Sequence, residues 1–109
     1  MQIPLQISFE HIKPVDYIAI RVRDEAKKLE QFYDRITSAR IVIGRPQHRR
    51  RHGDYYSIRL LITVPGANDI AVSREPSVTG RHEDINVTIS DAFAAARRQL
   101  QDLTRKRQA

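Results

Sequence analysis

The side chains of this chain best suited to chemistry are its arginines. Arg49, Arg50 and Arg51 follow one another within Arg45-Pro46-Gln47-His48-Arg49-Arg50-Arg51-His52-Gly53. Three guanidinium groups in series repel each other and gain nothing from folding, yet their planar N–H forks match phosphate oxygens two at a time. Arg21, Lys28 and Arg35 recur at seven-residue steps, so on one helix they share a flank. Arg98 and Arg105 repeat the spacing later in the chain, ahead of Arg105-Lys106-Arg107. Such a set can neutralise the backbone of a polyanion, where each contacted phosphate releases counter-ions. The arginine loop has a second reading, as a solvated stretch that keeps the chain soluble. Aromatic residues make up only 6% of the chain, and Tyr55 is the one ring expected at the surface. Base stacking is thus weakly supported, and recognition of structured RNA by shape and backbone fits better.

Catalytic chemistry finds less material. His48 and His52 are four residues apart but flank three arginines that would repel a cation. His82-Glu83-Asp84 has the composition of an acid–base cluster, but Asp84 is better placed to cap a helix, and Glu83 can serve the same dipole. The chain has no cysteine, no glycine-rich phosphate loop and no Gly-x-Ser-x-Gly elbow. The expectation is a binding protein with no catalytic residues, metal, cofactor or small-molecule substrate.

Composition bounds the rest. The chain has 109 residues, a formal charge of +6 and 40% apolar residues, which suits one domain with a single core. The charge excess calls for a partner rather than a fold. No apolar run approaches the ~20 residues of a membrane span. The start, Met-Gln-Ile-Pro-Leu-Gln, lacks the basic and apolar regions of a secretory signal, so a reducing cytoplasm is expected.

The elements that must position the arginines follow from periodicity. Ile3, Leu5, Ile7 and Phe9 alternate with polar residues, as in a half-buried strand. After Lys13-Pro14 a helix is predicted from Val15 or Asp16, with Ile18, Val22, Ala26, Leu29, Phe32 and Tyr33 as its apolar stripe. Residues 39–43, 55–64 and 69–74 read as strands, with a turn at Pro65-Gly66-Ala67-Asn68. Ile85, Ile89, Ala92, Phe93, Ala96, Leu100 and Leu103 form the stripe of a second helix capped by Asp84. The first and third strands each have one apolar and one largely polar face, so both helices must cover the same side of the sheet. The predicted fold is α+β, ordered β-α-β-β-β-α: one four-stranded sheet, one domain over residues 1–109, and a short basic C-terminal tail. The outward helix surfaces should then form one continuous basic platform.

With that order in place, Lys27-Lys28-Leu29-Glu30, Val64-Pro65-Gly66, His82-Glu83-Asp84, Ala92-Phe93 and Ala96-Arg97-Arg98-Gln99-Leu100 resemble the ribosome hibernation-promoting factor family. That family includes the ribosome-associated inhibitor and the sigma-54 modulation proteins, and the resemblance covers essentially the whole chain. It implies a fold similar to double-stranded-RNA-binding domains and a bacterial, cytosolic protein. Such a protein sits in the messenger and transfer RNA channel of the small ribosomal subunit, contacts ribosomal RNA and silences translation under stress or in stationary phase. By position, Lys28 and Arg98 match basic places in the family pattern, Arg105 falls in its basic helix end, and His82 matches the helix opening as a motif letter. Asn86, Glu25 and Ala95 depart from it: they stand where members carry Tyr, a basic residue and Lys. These departures predict a less basic groove, with Arg49, Arg50 and Arg51 as compensation. The chain resembles the short form, without the further domain that pairs ribosomes.

Two functions follow as expectations. The first is a non-enzymatic RNA-binding module that occupies the small subunit, with Arg21, Lys28, Arg35, Arg49, Arg50, Arg51, Arg98 and Arg105 as RNA contacts. The second is a basic adaptor for an acidic protein or transcription factor.

Overall fold

The computed structural model describes residues 4–44, 56–74 and 85–108, with side chains of the final helix as far as Arg105. Its elements are β1 (Leu5–Glu10), α1 (Asp16–Phe32), β2 (Ser38–Gly44), β3 (Ser57–Thr63), β4 (Ile70–Arg74) and α2 (Ile85–Gln108). The predicted order holds. The four strands form one sheet in the order β1-β2-β3-β4. β1 and β2 are parallel, joined across α1, while β2–β3 and β3–β4 are antiparallel.

The register aligns the period-two pattern of every strand. Ile7 lies beside Ile41, Ile41 beside Leu60, and Leu60 beside Val72. Phe9, Ile43 and Ile58 make a second row, and Leu5, Ala39, Ile62 and Ile70 a third. These rows build one apolar face, and the helices close it. α1 contributes Ile18, Val22, Ala26 and Leu29, and α2 contributes Ile85, Ile89, Ala92, Phe93, Ala96 and Leu100, all to one core. The far face carries Gln6, Glu10, Arg40, Arg59, Leu61 and Ser73, all exposed. Its polar groups pair across strands, with Arg40 Nε donating to Gln6 Oε1 at 3.1 Å and Arg59 Nη2 to Glu10 Oε1 at 3.0 Å.

Topology also fixes the direction of the helices. β4 is antiparallel to β3, itself antiparallel to β2, so β4 runs the same way as β1. Each helix turns back after its strand, so α1 and α2 run side by side in the same direction. The contacts agree: Arg21 meets Ser90 early in both helices, and Phe32 meets Arg97 further along both.

Local signals account for the ends. Pro65 and Gly66 form a turn closed by Ala67 N–H donating to the Val64 carbonyl at 3.3 Å, and Gly66 supplies the positive φ of 74° that a type II turn requires. α1 starts without a side-chain cap, but Asp16 in its first turn faces the positive end of the dipole. It stops at Phe32, because Tyr33 is extended (φ −141°, ψ 107°). Two demands pull the chain out of the helix there. Ile36 must enter the core, and Thr37 N–H must reach the Thr63 carbonyl at 2.9 Å to begin the sheet.

That stop corrects two expectations. Arg35 is not on α1 but in the turn after it, so its seven-residue step from Lys28 places it on no common flank. Phe32 does not complete the apolar stripe. It is 40% exposed at the helix end, and the Arg97 guanidinium covers its ring. The Asp84 cap and Tyr55, the first residue of the predicted third strand, lie outside the described residues; the strand itself begins at Ser57, after Tyr56.

Leu60 and Phe93 are buried while Arg59 is exposed on the far face. Phe93→Ala should therefore cost about 3–5 kcal/mol in urea-induced unfolding, and Arg59→Ala about 1 kcal/mol or less. Equal losses at the two positions would contradict helices on one face only.

Candidate nucleic-acid interface

Two parallel helices on one sheet face leave a groove between their outer flanks. Here it holds a depression of roughly 320 Å³ lined by Glu25 and Leu29 from α1 and by Ser90, Phe93, Ala94, Arg97 and Arg98 from α2. Leu29 and Phe93 form a floor continuous with the core, and the charged residues form the rim.

The rim is a network rather than a row of free cations. Arg21 donates through Nη1 to Glu25 Oε2, one turn further along α1. Through Nη2 it donates to Ser90 Oγ at 2.8 Å, so one guanidinium ties α1 to α2. Lys28 Nζ approaches the same Glu25 oxygen at 3.6 Å from the other side, on a side chain that is 64% exposed. Across the groove Arg97 stacks on Phe32, its guanidinium carbon 4.8 Å from the ring centroid. Stacking of this kind holds a flexible side chain in place while its N–H edges stay open to a ligand.

The candidate residues therefore separate. Arg98 lines the groove, and Lys28 reaches its edge through the contact with Glu25. Arg21 also stands there, engaged in the tie between helices. Arg105 is exposed on α2, about 10 Å along the axis from Arg98 at 1.5 Å per residue. Arg35 is exposed but off the helix. Arg49, Arg50 and Arg51 lie outside the described residues, as do His48, His52, His82 and Glu83.

The continuous basic platform is not what the structure shows. Asp24, Asp91 and Asp102 are exposed on the outer surfaces among the basic residues, and Glu25 sits in the groove itself. Of the three departures, Glu25 does lower the charge of the groove. Ala95 does not bear on it, being only 4% exposed in the core. Two contributors escaped the sequence reading. Arg97 lies one helical turn beyond Phe93, at the edge of the apolar stripe, and that edge faces the neighbouring helix. Tyr17 is a ring 58% exposed one turn before Arg21 on α1, where only Tyr55 had been expected.

A second depression, on the open sheet face, is lined by Arg40, Val42, Arg59, Leu61, Ala71 and Ser73 among others. Its two arginines are engaged, Arg40 by the neutral amide of Gln6 and Arg59 by the carboxylate of Glu10. Among the described residues no group of three His, Cys, Asp or Glu could hold a metal ion, and no helix is long and apolar enough to cross a membrane.

Residues 5–108 match the sequence profile described as "Sigma 54 modulation protein / S30EA ribosomal protein". The chain belongs to this family. Solved structures share the fold. A ribosomal subunit interface protein from Coxiella burnetii superposes with a TM-score of 0.74 at 12% identity, over 94% of this chain and 98% of the other. The N-terminal domain of Thermus thermophilus Protein Y gives 0.66 at 16% identity, over 94% and 99%. No curated protein matches by sequence. In this S30EA-family chain both helices that form the groove fall within the matched residues.

The contact between Phe32 and Arg97 can be measured alone. A double-mutant cycle with Phe32→Leu and Arg97→Gln should show a coupling of about 0.5–1 kcal/mol in stability. A coupling indistinguishable from zero would mean that Arg97 is not held by the ring.

Proposed function

We propose that this protein is a non-enzymatic, ribosome-associated RNA-binding protein of the bacterial cytoplasm. It occupies the messenger and transfer RNA channel of the small subunit and inhibits translation under stress or in stationary phase. The observation that carries the reading is the groove between α1 and α2, lined by Arg97 and Arg98, with Lys28 beside its Glu25 and Arg21 tying the helices, in a chain of the S30EA ribosomal protein family. The relatives of like fold support it, one being a ribosomal subunit interface protein.

Physically, the groove suits a phosphate backbone better than a small substrate. It is open, its cations come from two elements, and its apolar floor is largely used by the core. Lys28 and Arg98 neutralise phosphates, Arg97 offers a pre-positioned guanidinium, and Arg105 extends the contact along α2. Arg35, Arg49, Arg50 and Arg51 add charge from the turns and the loop between β2 and β3. Binding of this kind is driven by counter-ion release and weakens steeply with salt.

Co-sedimentation with purified small subunits tests the reading. Lys28→Glu combined with Arg98→Glu should abolish association while leaving the melting temperature within a few degrees, since both side chains lie off the core. If about six phosphates are contacted, raising salt from about 50 to about 200 mM should weaken binding of the native protein roughly a thousandfold. Association that survives both would rule out backbone reading through this groove.

The loop has its own test. Replacing Arg49, Arg50 and Arg51 by alanine should leave stability nearly unchanged. If the loop contacts phosphates, the same change makes the salt slope shallower by up to about three. Wild-type affinity with an unchanged slope would assign the loop to solubility instead.

A further inference from the structure

The groove contains a negative charge at the place where an RNA-binding surface should want none. Glu25 Oε2 is shared by Arg21 and Lys28, and the Glu25 side chain is only 18% exposed, so water screens it less than an ordinary surface carboxylate. It lines the depression together with Arg97 and Arg98. A carboxylate between two cations occupies the position a phosphate would take: two oxygens, one negative charge, the same N–H donors. We propose that Glu25 is an internal competitor for RNA phosphate and the residue that sets the affinity of the groove. This inference rests on the RNA-binding reading above.

The two cations it holds are not equivalent. Arg21 has a second partner in Ser90 Oγ at 2.8 Å and a side chain only 29% exposed, so it stays in place as the tie between helices. Lys28 has a long contact of 3.6 Å, a side chain 64% exposed and no second partner among the described residues. Lys28 is therefore the cation that exchanges. When RNA arrives, its ammonium leaves the carboxylate for a phosphate, and Glu25 keeps Arg21. Each such contact is a replacement of one anion by another, not a new pairing, so it gains less than a free lysine would. Glu25 also repels any phosphate that approaches Arg97 and Arg98. The combined effect is a weakened, readily reversible grip. A factor that must leave the ribosome would have use for that property.

Glu25→Gln removes the charge and keeps an oxygen that can accept from Arg21. It should bind purified small subunits roughly three- to tenfold more tightly at moderate salt, with a salt slope little changed, because Lys28 meets a phosphate in both proteins. Lys28→Ala should cost less affinity in the native background than in Glu25→Gln, because only in the latter is the ammonium unpaired beforehand. A melting curve for each variant separates binding from folding, and Lys28→Ala, which leaves the tie through Arg21 intact, provides the comparison if Glu25→Gln proves unstable. In that case, Lys28→Ala weakening binding by about tenfold or more, as loss of an unopposed phosphate contact would, would overturn the proposal. Equal or weaker binding by folded Glu25→Gln would likewise overturn it, and would make Glu25 a residue that positions Arg21 and Lys28. Failure of the native protein itself to bind small subunits is a different result, and would remove the RNA-binding reading first.

Discussion

The one-sidedness of the sheet governs this molecule. In each strand the apolar residues fall on alternate positions, and the register brings those positions together in rows such as Ile7, Ile41, Leu60 and Val72. A sheet with one apolar face leaves the helices no choice of side. With α1 crossing between parallel strands and α2 following a strand of the same direction, they come to lie parallel and adjacent. Their shared groove is a result of that topology. A sheet apolar on both faces would place the helices apart, and Arg21 could not reach Ser90.

The groove in turn decides what its charges can do. Nineteen basic residues against thirteen acidic ones imply a polyanion partner without saying where it binds. The structure shows that the basic residues differ in availability. Arg21 is engaged by Glu25 and Ser90, Arg97 is stacked on Phe32, Lys28 is loosely held, and Arg105 is exposed. These differences make the groove a binding surface with graded parts. They also make its affinity adjustable through a single carboxylate.

Much of this was legible in the sequence, for physical reasons. Period-two alternation marked the strands, and the recurrence from Ile85 to Leu103 marked α2, whose positions are buried as far as Leu100 and half-buried at Leu103. What was not legible depends on tertiary structure. The seven-residue spacing from Arg21 to Arg35 is a surface pattern, blind to the point at which Ile36 and Thr37 must leave the helix for the core and the sheet. Ala95 falls outside the predicted stripe, where the resemblance implies Lys, yet the packing of α2 buries it. The tie from Arg21 to Ser90 and the stacking of Arg97 on Phe32 exist only because the helices run in the same direction at close range, and no local pattern records that.

The account's central claim is one of orientation: the groove between the helices meets RNA, and the open sheet face does not. A cryo-electron microscopy structure of the protein bound to the small subunit tests it most directly. The account predicts ribosomal RNA phosphates within hydrogen-bond distance of Lys28, Arg97 and Arg98, with Arg40, Leu61 and Ser73 turned away from them. RNA seated instead on the Arg40 and Arg59 face of the sheet would contradict it.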